Sequence, residues 1–368
     1  MDEFHGLNTV ERALMTRSAA FGMPISGSLE LLPLCNMNCR MCYVRLSRKE
    51  MEAQGRLRTW QEWLEAARQM QEAGVLFLLL TGGELLLFPE FKTLYLELKK
   101  MGFVLTINTN GTLLDEDWAD FFAAHKPRRI NITLYGADGN AYRDLCGYQP
   151  GFDRAIQAVK LLKQRQVDVK LATSVTQVNV QDLPRLFAIA RELDVPMAAD
   201  TYMMPATRER TLPFDQQSRL GPEEAAQARI AAMKFQKGFL TYAKNTIDKI
   251  DSFVPGPEEP KPMGCYAGKC SFSVSWQGHL HPCVILSEPA ANVFEVGFQK
   301  AWEQVSQGVR QIRLNPKCSA CALRPACRTC AASGLLEGGS HDALPEYMCR
   351  YAAESARLLR QALEEAHG

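Results

Sequence analysis

The chain has 368 residues, is 46% hydrophobic and 23% charged, and sets 42 Lys and Arg against 41 Asp and Glu for a formal charge of +1. That length accommodates one large core and a second, smaller unit, while the near-neutral balance gives no electrostatic basis for a nucleic-acid partner. No long apolar run supports a membrane span, and the start, MDEFHGLNTVERALM, lacks the apolar core of a signal peptide. A cytoplasmic location without a membrane partner is therefore expected. The 12 cysteines then argue for metal ligation over disulfides, because cytosolic thiols are kept reduced.

Residues 1–24 read as an N-terminal extension before a first strand in SGSLELL. That strand runs into LLPLCNMNCRMCYV, where Cys35, Cys39 and Cys42 are spaced C-x3-C-x2-C. Asn36, Asn38 and Arg40 lie between them and favour a turn over a core surface, and such a turn gathers three thiols as a metal or iron-sulfur cluster requires. Thr59-x-x-Glu62 forms a capping box for a helix whose apolar face includes Trp60, Trp63, Leu64, Ala67 and Met70. VLFLLL at 75–80 has the length and continuity of a strand covered on both faces. A helix near 89–100, the strand FVLTIN, the helix DEDWADFFAAH and the strand RINITLY follow. A helix near 151–166, the strand VDVKLATSV, a helix near 181–193 and the strand VPMAADTYM complete an alternation of six strand-helix units. Such alternation over about residues 25–204 predicts a parallel sheet, open or curled into part of a barrel, in a unit bounded at 25–230.

The carboxyl ends of these strands carry unusual residues: Thr81, Gly82, Gly83 and Glu84 after the second, Asn108, Thr109, Asn110 and Gly111 after the third, Thr133 and Tyr135 at the fourth. Ligands bind at this edge in parallel α/β proteins. Adjacent glycines permit close backbone approach to a ligand, and Glu84 is suited to an ammonium group.

Residues 231–264, rich in Pro and Gly toward their end, read as a bridge to a second unit at 265–368. That unit opens with Cys265, Cys270 and Cys283 around an expected hairpin, FSVSW and LHPCVIL about a turn at Gly278. Cys318, Cys321, Cys327, Cys330 and Cys349 follow, ahead of a C-terminal helix. Eight clustered cysteines suit coordination in two fours, by structural zinc or by iron-sulfur clusters.

The C-x3-C-x2-C turn with Tyr43 beside its last cysteine, followed by GGE after the second strand, resembles the radical S-adenosylmethionine superfamily. The resemblance implies an α/β fold built as a partial (β/α)6 barrel. It also implies that Cys35, Cys39 and Cys42 bind three irons of a 4Fe-4S cluster, with S-adenosyl-L-methionine chelating the fourth. Gly82, Gly83 and Glu84 would hold the cofactor's amino group, with Asn110, Thr133 and Arg143 as further contacts. For Arg143, in the loop AYRDLCG, surface pairing with Asp144 or Asp138 is the competing reading.

The second cysteine block resembles the SPASM domain, a small cysteine-rich auxiliary-cluster unit with a β-hairpin. By that resemblance Cys265, Cys270, Cys283 and Cys330 hold one auxiliary 4Fe-4S cluster, and Cys318, Cys321, Cys327 and Cys349 the other, giving three clusters in all. The implied function is an oxidoreductase that matures a ribosomally made peptide, most naturally by an oxidative crosslink such as a thioether. The implied partners are a precursor peptide, a reducing flavodoxin or ferredoxin, and a separate leader-binding protein, since only residues 1–24 precede the first strand. Sulfatase maturation to formylglycine is the first alternative; the aspartate that relatives carry after the third auxiliary cysteine is Val284 here, with Glu288 as the nearby carboxylate. Peptide epimerisation is the second, with Cys146 as the thiol hydrogen donor. A zinc-binding structural module is the non-enzymatic alternative.

Overall fold

The computed structural model describes residues 9–204 and 218–367. Helix α1 (Thr9–Phe21) precedes β1 (Ser26–Glu30), and α2 (Arg48–Gln54) and α3 (Trp60–Glu72) lead to β2 (Phe77–Thr81). Then come α4 (Phe91–Lys100), β3 (Val104–Thr109), α5 (Glu116–Ala124), β4 (Arg129–Thr133), α6 (Gly139–Cys146), α7 (Gly151–Gln164), β5 (Val169–Ser174), α8 (Leu183–Glu192) and β6 (Met197–Asp200). The remainder holds α9 (Pro222–Lys234), α10 (Phe239–Asp251), β7 (Ser271–Val274), β8 (His279–His281), β9 (Ala291–Asn292), α11 (Val293–Val296), α12 (Phe298–Gln311), α13 (Pro316–Ser319), α14 (Ala331–Gly338) and α15 (Glu346–His367).

Strands β1 to β6 pair in parallel and in chain order, as the alternation predicts. The capping box of α3 forms as expected: Glu62 N–H donates to Thr59 Oγ1 at 3.2 Å, and Thr59 N–H to Glu62 Oε2 at 2.8 Å. The hairpin about Gly278 is present as β7 and β8. It does not stand apart, because β7 runs parallel to β1 and extends the same sheet, which reaches nine strands in the order β6-β5-β4-β3-β2-β1-β7-β8-β9.

Each parallel strand buries alternate residues against the helices. Leu78 and Leu80, Leu105 and Ile107, Ile130 and Ile132, and Val169 and Leu171 form that buried row. The intervening residues face the opposite, open side and are only half-buried. VLFLLL is thus covered on one face, not two, because the helices of the strand-helix units all pack on one side; Phe77 and Leu79 line the open side.

One further expectation is corrected, and one is given detail. The stretch AYRDLCG is not a loop but the end of α6, started by the Asp138 side chain accepting from the Asn140 and Ala141 N–H groups. Much of the bridge is helical: α10 buries Phe239, Ala243, Thr246, Ile247 and Ile250 at helical spacing. These pack with Ala356, Leu359 and Ala362 of α15 in a second core. Among the described residues no helix is long and apolar enough to cross a membrane.

Candidate active site

The chain leaving β1 does not separate from β2. Leu31 N–H donates to Thr81 O at 2.9 Å, Gly83 N–H to Leu32 O at 2.7 Å and Glu84 N–H to Leu34 O at 2.9 Å. This explains the glycine pair. A Cβ on Gly83 would lie 2.2 Å from Leu34 O, and one on Gly82 (φ 150°) 2.6 Å from Leu32 O. The glycines therefore admit the neighbouring backbone.

The cysteine turn is then pinned from two sides. Asn38 and Arg40 N–H groups donate to Cys146 O and Leu145 O at 2.9 and 3.0 Å, docking the turn on the end of α6. On the other side Asn36 donates to Thr112 Oγ1 at 2.8 Å and accepts from Asn110 Nδ2 at 3.0 Å. Asn110 Oδ1 accepts from the Thr112 N–H and hydroxyl at 2.9 and 2.7 Å. Behind Asn110, Glu84 is fully buried and accepts from Thr109 Oγ1 at 2.7 Å, Asn110 N–H at 2.8 Å and Leu86 N–H at 3.1 Å. Burial raises its carboxyl above the ordinary range, and those three hydrogen bonds pull it back.

The sulfurs are prepared for negative charge. Cys35 Sγ receives the Met37 N–H at 3.4 Å and Asn110 Nδ2 at 3.7 Å, and Cys42 Sγ receives the Arg45 N–H at 3.3 Å. Burial nevertheless pushes the Cys35 thiol up to about 12, against the Met37 N–H, with the charges of Glu84, Cys39 and Cys42 adding to the rise. A thiol so placed becomes a thiolate at neutral pH only beside a cation, which an iron-sulfur cluster supplies. Three thiols on one turn, with backbone N–H groups aimed at Cys35 and Cys42, are the donor chemistry a cluster takes. Tyr135 stands against the turn, its hydroxyl raised well above the usual range by burial first and then by Cys39, Cys146, Cys42 and Cys35.

The other expected site residues are dispersed. Thr133 lies on the open face, half-buried, at the end of β4. Arg143 is on the surface, paired with Asp144 at 2.8 Å and donating to Asn140 Oδ1 at 3.0 Å. Cys146 is fully buried among core side chains at the end of α6, where its carbonyl accepts from the Asn38 N–H of the cysteine turn. Glu288 is exposed.

In the C-terminal unit, Cys270 feels Cys265, and Cys283 feels Cys330 and then Cys265. Cys318 feels Cys327, Cys349 and Cys321, while Cys349 feels Cys327 and Cys321. Burial is the first cause of the raised thiols in both groups, and carries Cys270 to about 11. Among the described residues no three His, Cys, Asp or Glu side chains are grouped so that they could hold a single metal ion.

Sequence reasoning missed two features of the open face. Asn131 Nδ2 donates to Asn108 Oδ1 at 2.8 Å across β4 and β3, beside Lys170 of β5. At the end of β6, Asp200 reaches solvent yet is flanked closely enough by protein for desolvation to raise its carboxyl, with the Tyr202 N–H and the Arg328 guanidinium opposing. Alternation along each strand was the signal that could have placed them on one side.

Residues 29–188 match the Radical SAM superfamily. The chain carries a radical SAM domain. It is 24% identical over 331 residues to the AdoMet-dependent heme synthase of Methanosarcina barkeri, covering 85% of this chain and 92% of that protein. It is 23% identical over 299 residues to the antilisterial bacteriocin subtilosin biosynthesis protein AlbA of Bacillus subtilis, covering 79% of this chain and 63% of AlbA. Among solved structures, native anSMEcpe with bound AdoMet superposes with a TM-score of 0.68 at 19% identity, covering 93% of this chain and 99% of that one. Streptococcus suis SuiB bound to precursor peptide SuiA superposes with a TM-score of 0.66 at 17% identity, covering 92% and 78%. These structural likenesses establish the shared fold. The radical SAM domain at residues 29–188 marks the chain as an enzyme, with its cysteine turn at the carboxyl edge of the sheet, where parallel α/β folds bind ligands.

Proposed function

We propose that this chain is a radical SAM enzyme with a SPASM-type C-terminal unit that oxidatively modifies a ribosomally made peptide, by a crosslink. The observation that carries the proposal is the cysteine trio on the turn after β1 inside the radical SAM domain, with the eight C-terminal cysteines, spaced for two sets of four, in support. Cys35, Cys39 and Cys42 would hold a 4Fe-4S cluster with one open iron for S-adenosyl-L-methionine. Cys265, Cys270, Cys283 and Cys330, and Cys318, Cys321, Cys327 and Cys349, would hold two fully ligated auxiliary clusters suited to accepting an electron. Bound together, the first cluster and its cofactor supply a 5'-deoxyadenosyl radical able to take an unactivated hydrogen.

The chain's own residues orient that chemistry. The Asn36–Asn110–Glu84 network fixes the turn, and Tyr135 lies near it. A peptide substrate is supported by the likeness to SuiB, solved with its precursor peptide. Formylglycine formation is less favoured, since Val284 follows Cys283 and Glu288 points to solvent. Epimerisation is less favoured because Cys146, the thiol proposed as donor, is fully buried in the core. A second substrate, a tetrapyrrole, is favoured by the near-full-length match to the heme synthase. A reduced flavodoxin or ferredoxin would deliver the electron.

Anaerobic reconstitution tests the proposal. About 12 irons per chain are expected for three 4Fe-4S clusters, against zinc for a structural module. Replacing Cys35, Cys39 and Cys42 together by Ala should abolish 5'-deoxyadenosine formation; persistence of that product would refute the site. With peptides encoded beside the gene, a crosslink appears as a loss of about 2 Da. An unchanged mass with one deuterium gained from heavy water would indicate epimerisation, and an aldehyde on a sulfatase-derived cysteine would indicate formylglycine formation.

A further inference from the structure

The open face of the sheet carries a polar row that the cluster chemistry does not use. Glu30 pairs in register with Thr81, Asn108 with Asn131, and Asn131 with Lys170, so carboxylate, amides and ammonium are set across β1 to β5. We propose that Lys170, at the end of this row, binds a carboxylate of the substrate. This rests on the radical SAM reading of the site and adds the chemical group by which the substrate is held.

The case is one of charge accounting. The Lys170 side chain is half-buried and makes no hydrogen bond or ion pair among the described residues. Its neighbouring charge is a cation, Arg129, and burial together with that guanidinium lowers the Lys170 ammonium below the ordinary lysine range. The nearby carboxylates are committed elsewhere. Asp168, two residues earlier on the same side, accepts from Arg129 Nε at 2.9 Å. Glu11 pairs with Arg128. Glu30 accepts from the Tyr43 hydroxyl at 2.9 Å and lies four strands away, roughly 19 Å at about 4.8 Å per strand. Asp200 pairs in register with Ser174, four residues further along, roughly 13 Å at about 3.3 Å per residue.

A half-buried ammonium beside a guanidinium, with no counter-ion of its own, is stabilised by an anion. The flanking amides select the shape of that anion. Asn131 and Asn108 bond to each other, which leaves Lys170 as the charged donor at the end of the row. A carboxylate meets this geometry through a charge-assisted hydrogen bond. It could come from a peptide side chain or terminus, or from the propionate of a tetrapyrrole.

Competitive labelling distinguishes these sources. The full-length reconstituted enzyme is reductively methylated and each lysine is followed by peptide mass spectrometry, with exposed Lys249 as the internal reference. Lys170 should be protected by iron coproporphyrin III but not by its tetramethyl ester if the substrate is a tetrapyrrole. It should be protected by the peptide encoded beside the gene, but not by the analogue with Asp and Glu replaced by amides, if the substrate is a peptide. Lys170→Met should weaken the protecting ligand roughly ten- to hundredfold, with Lys170→Arg restoring most of the affinity. A melting profile equal to wild type would show that the variant folds. Protection by neither probe, or equal protection by the blocked analogues, would overturn the assignment. Because labelling does not require turnover, that failure leaves 5'-deoxyadenosine formation intact, whereas failure of the radical SAM reading removes 5'-deoxyadenosine and leaves the labelling pattern readable.

Discussion

The Asn110 N–H donates to Glu84 Oε2 at 2.8 Å, and the Asn110 side chain in turn reaches Asn36 and Cys35, so a buried carboxylate after β2 holds the loop after β3 against the cysteine turn. Three of the carboxylate's roughly four acceptor positions are filled by Thr109, Asn110 and Leu86. Glu84→Gln turns an amide donor toward groups that are themselves donors. The expected outcome, measured without S-adenosylmethionine, is a loss of about 1–3 kcal/mol and a melting temperature roughly 2–10 °C lower. An unchanged melt accompanied only by weaker cofactor binding would show that the network carries no stability.

Arg143 gives the opposite expectation. Its side chain is exposed and paired with Asp144 at 2.8 Å on the surface of α6, and such pairs contribute about 0–1 kcal/mol. Arg143→Ala should leave the S-adenosylmethionine dissociation constant unchanged within roughly twofold and the stability within about 0.5 kcal/mol. A large loss of cofactor affinity by calorimetry would restore it to the binding site.

Glu62 provides a pH signature for the capping box. The Arg56 guanidinium holds its carboxyl down at about 2, with the Thr59 N–H and Arg58 assisting against desolvation. The folded value lies below the unfolded one of about 4.3, so the group's contribution is present above about pH 4.3 and is lost as pH falls toward 2. Because part of the pair faces solvent and salt, the effect should stay under about 1 kcal/mol. The stability gap between wild type and Glu62→Gln should therefore be present at pH 7 and shrink progressively below pH 4, followed by denaturant titration. A gap that widens in acid would contradict the assignment.

The parallel alternation, the α3 capping box and the hairpin about Gly278 were legible because each is written in local residues: apolar periodicity, Thr59 with Glu62, and a glycine between two apolar runs. The packing of Gly82 and Gly83 was not, since the space of their missing Cβ atoms is taken by Leu32 and Leu34, about fifty residues earlier in the chain. Helix α10 carries a helical spacing in Phe239, Ala243, Ile247 and Ile250, but the Pro and Gly that follow it drew the whole segment into a bridge. The joining of β7 to β1 has no local signature; it depends on a register across some 245 residues, as in the Ser28 to Ser273 hydroxyl pair at 2.9 Å. Lys170 was likewise unreadable alone. A lysine in a strand becomes informative only when its neighbours' charges are known.

The interleaved cysteines give the last prediction. Cys330 is felt by Cys283 of the first C-terminal group, yet it follows Cys327 and precedes Cys349 of the second. It also starts α14, where its N–H donates to Ser333 Oγ at 2.9 Å and its carbonyl accepts from the same hydroxyl at 2.8 Å. Under the proposed ligation, losing this thiolate opens one cluster and releases the start of a helix whose Ala331, Ala332 and Ser333 are buried, and metal binding in such units is coupled to folding. Cys330→Ala should therefore lose more than one cluster's share, more than about 4 of about 12 irons per chain, and melt at lower temperature. Cys146→Ala, which alters a buried thiol outside all three groups, should retain its full iron. Loss of about four irons from Cys330→Ala with an unchanged melting profile would show that the two C-terminal groups fold independently, and iron loss from Cys146→Ala would place that thiol among the ligands.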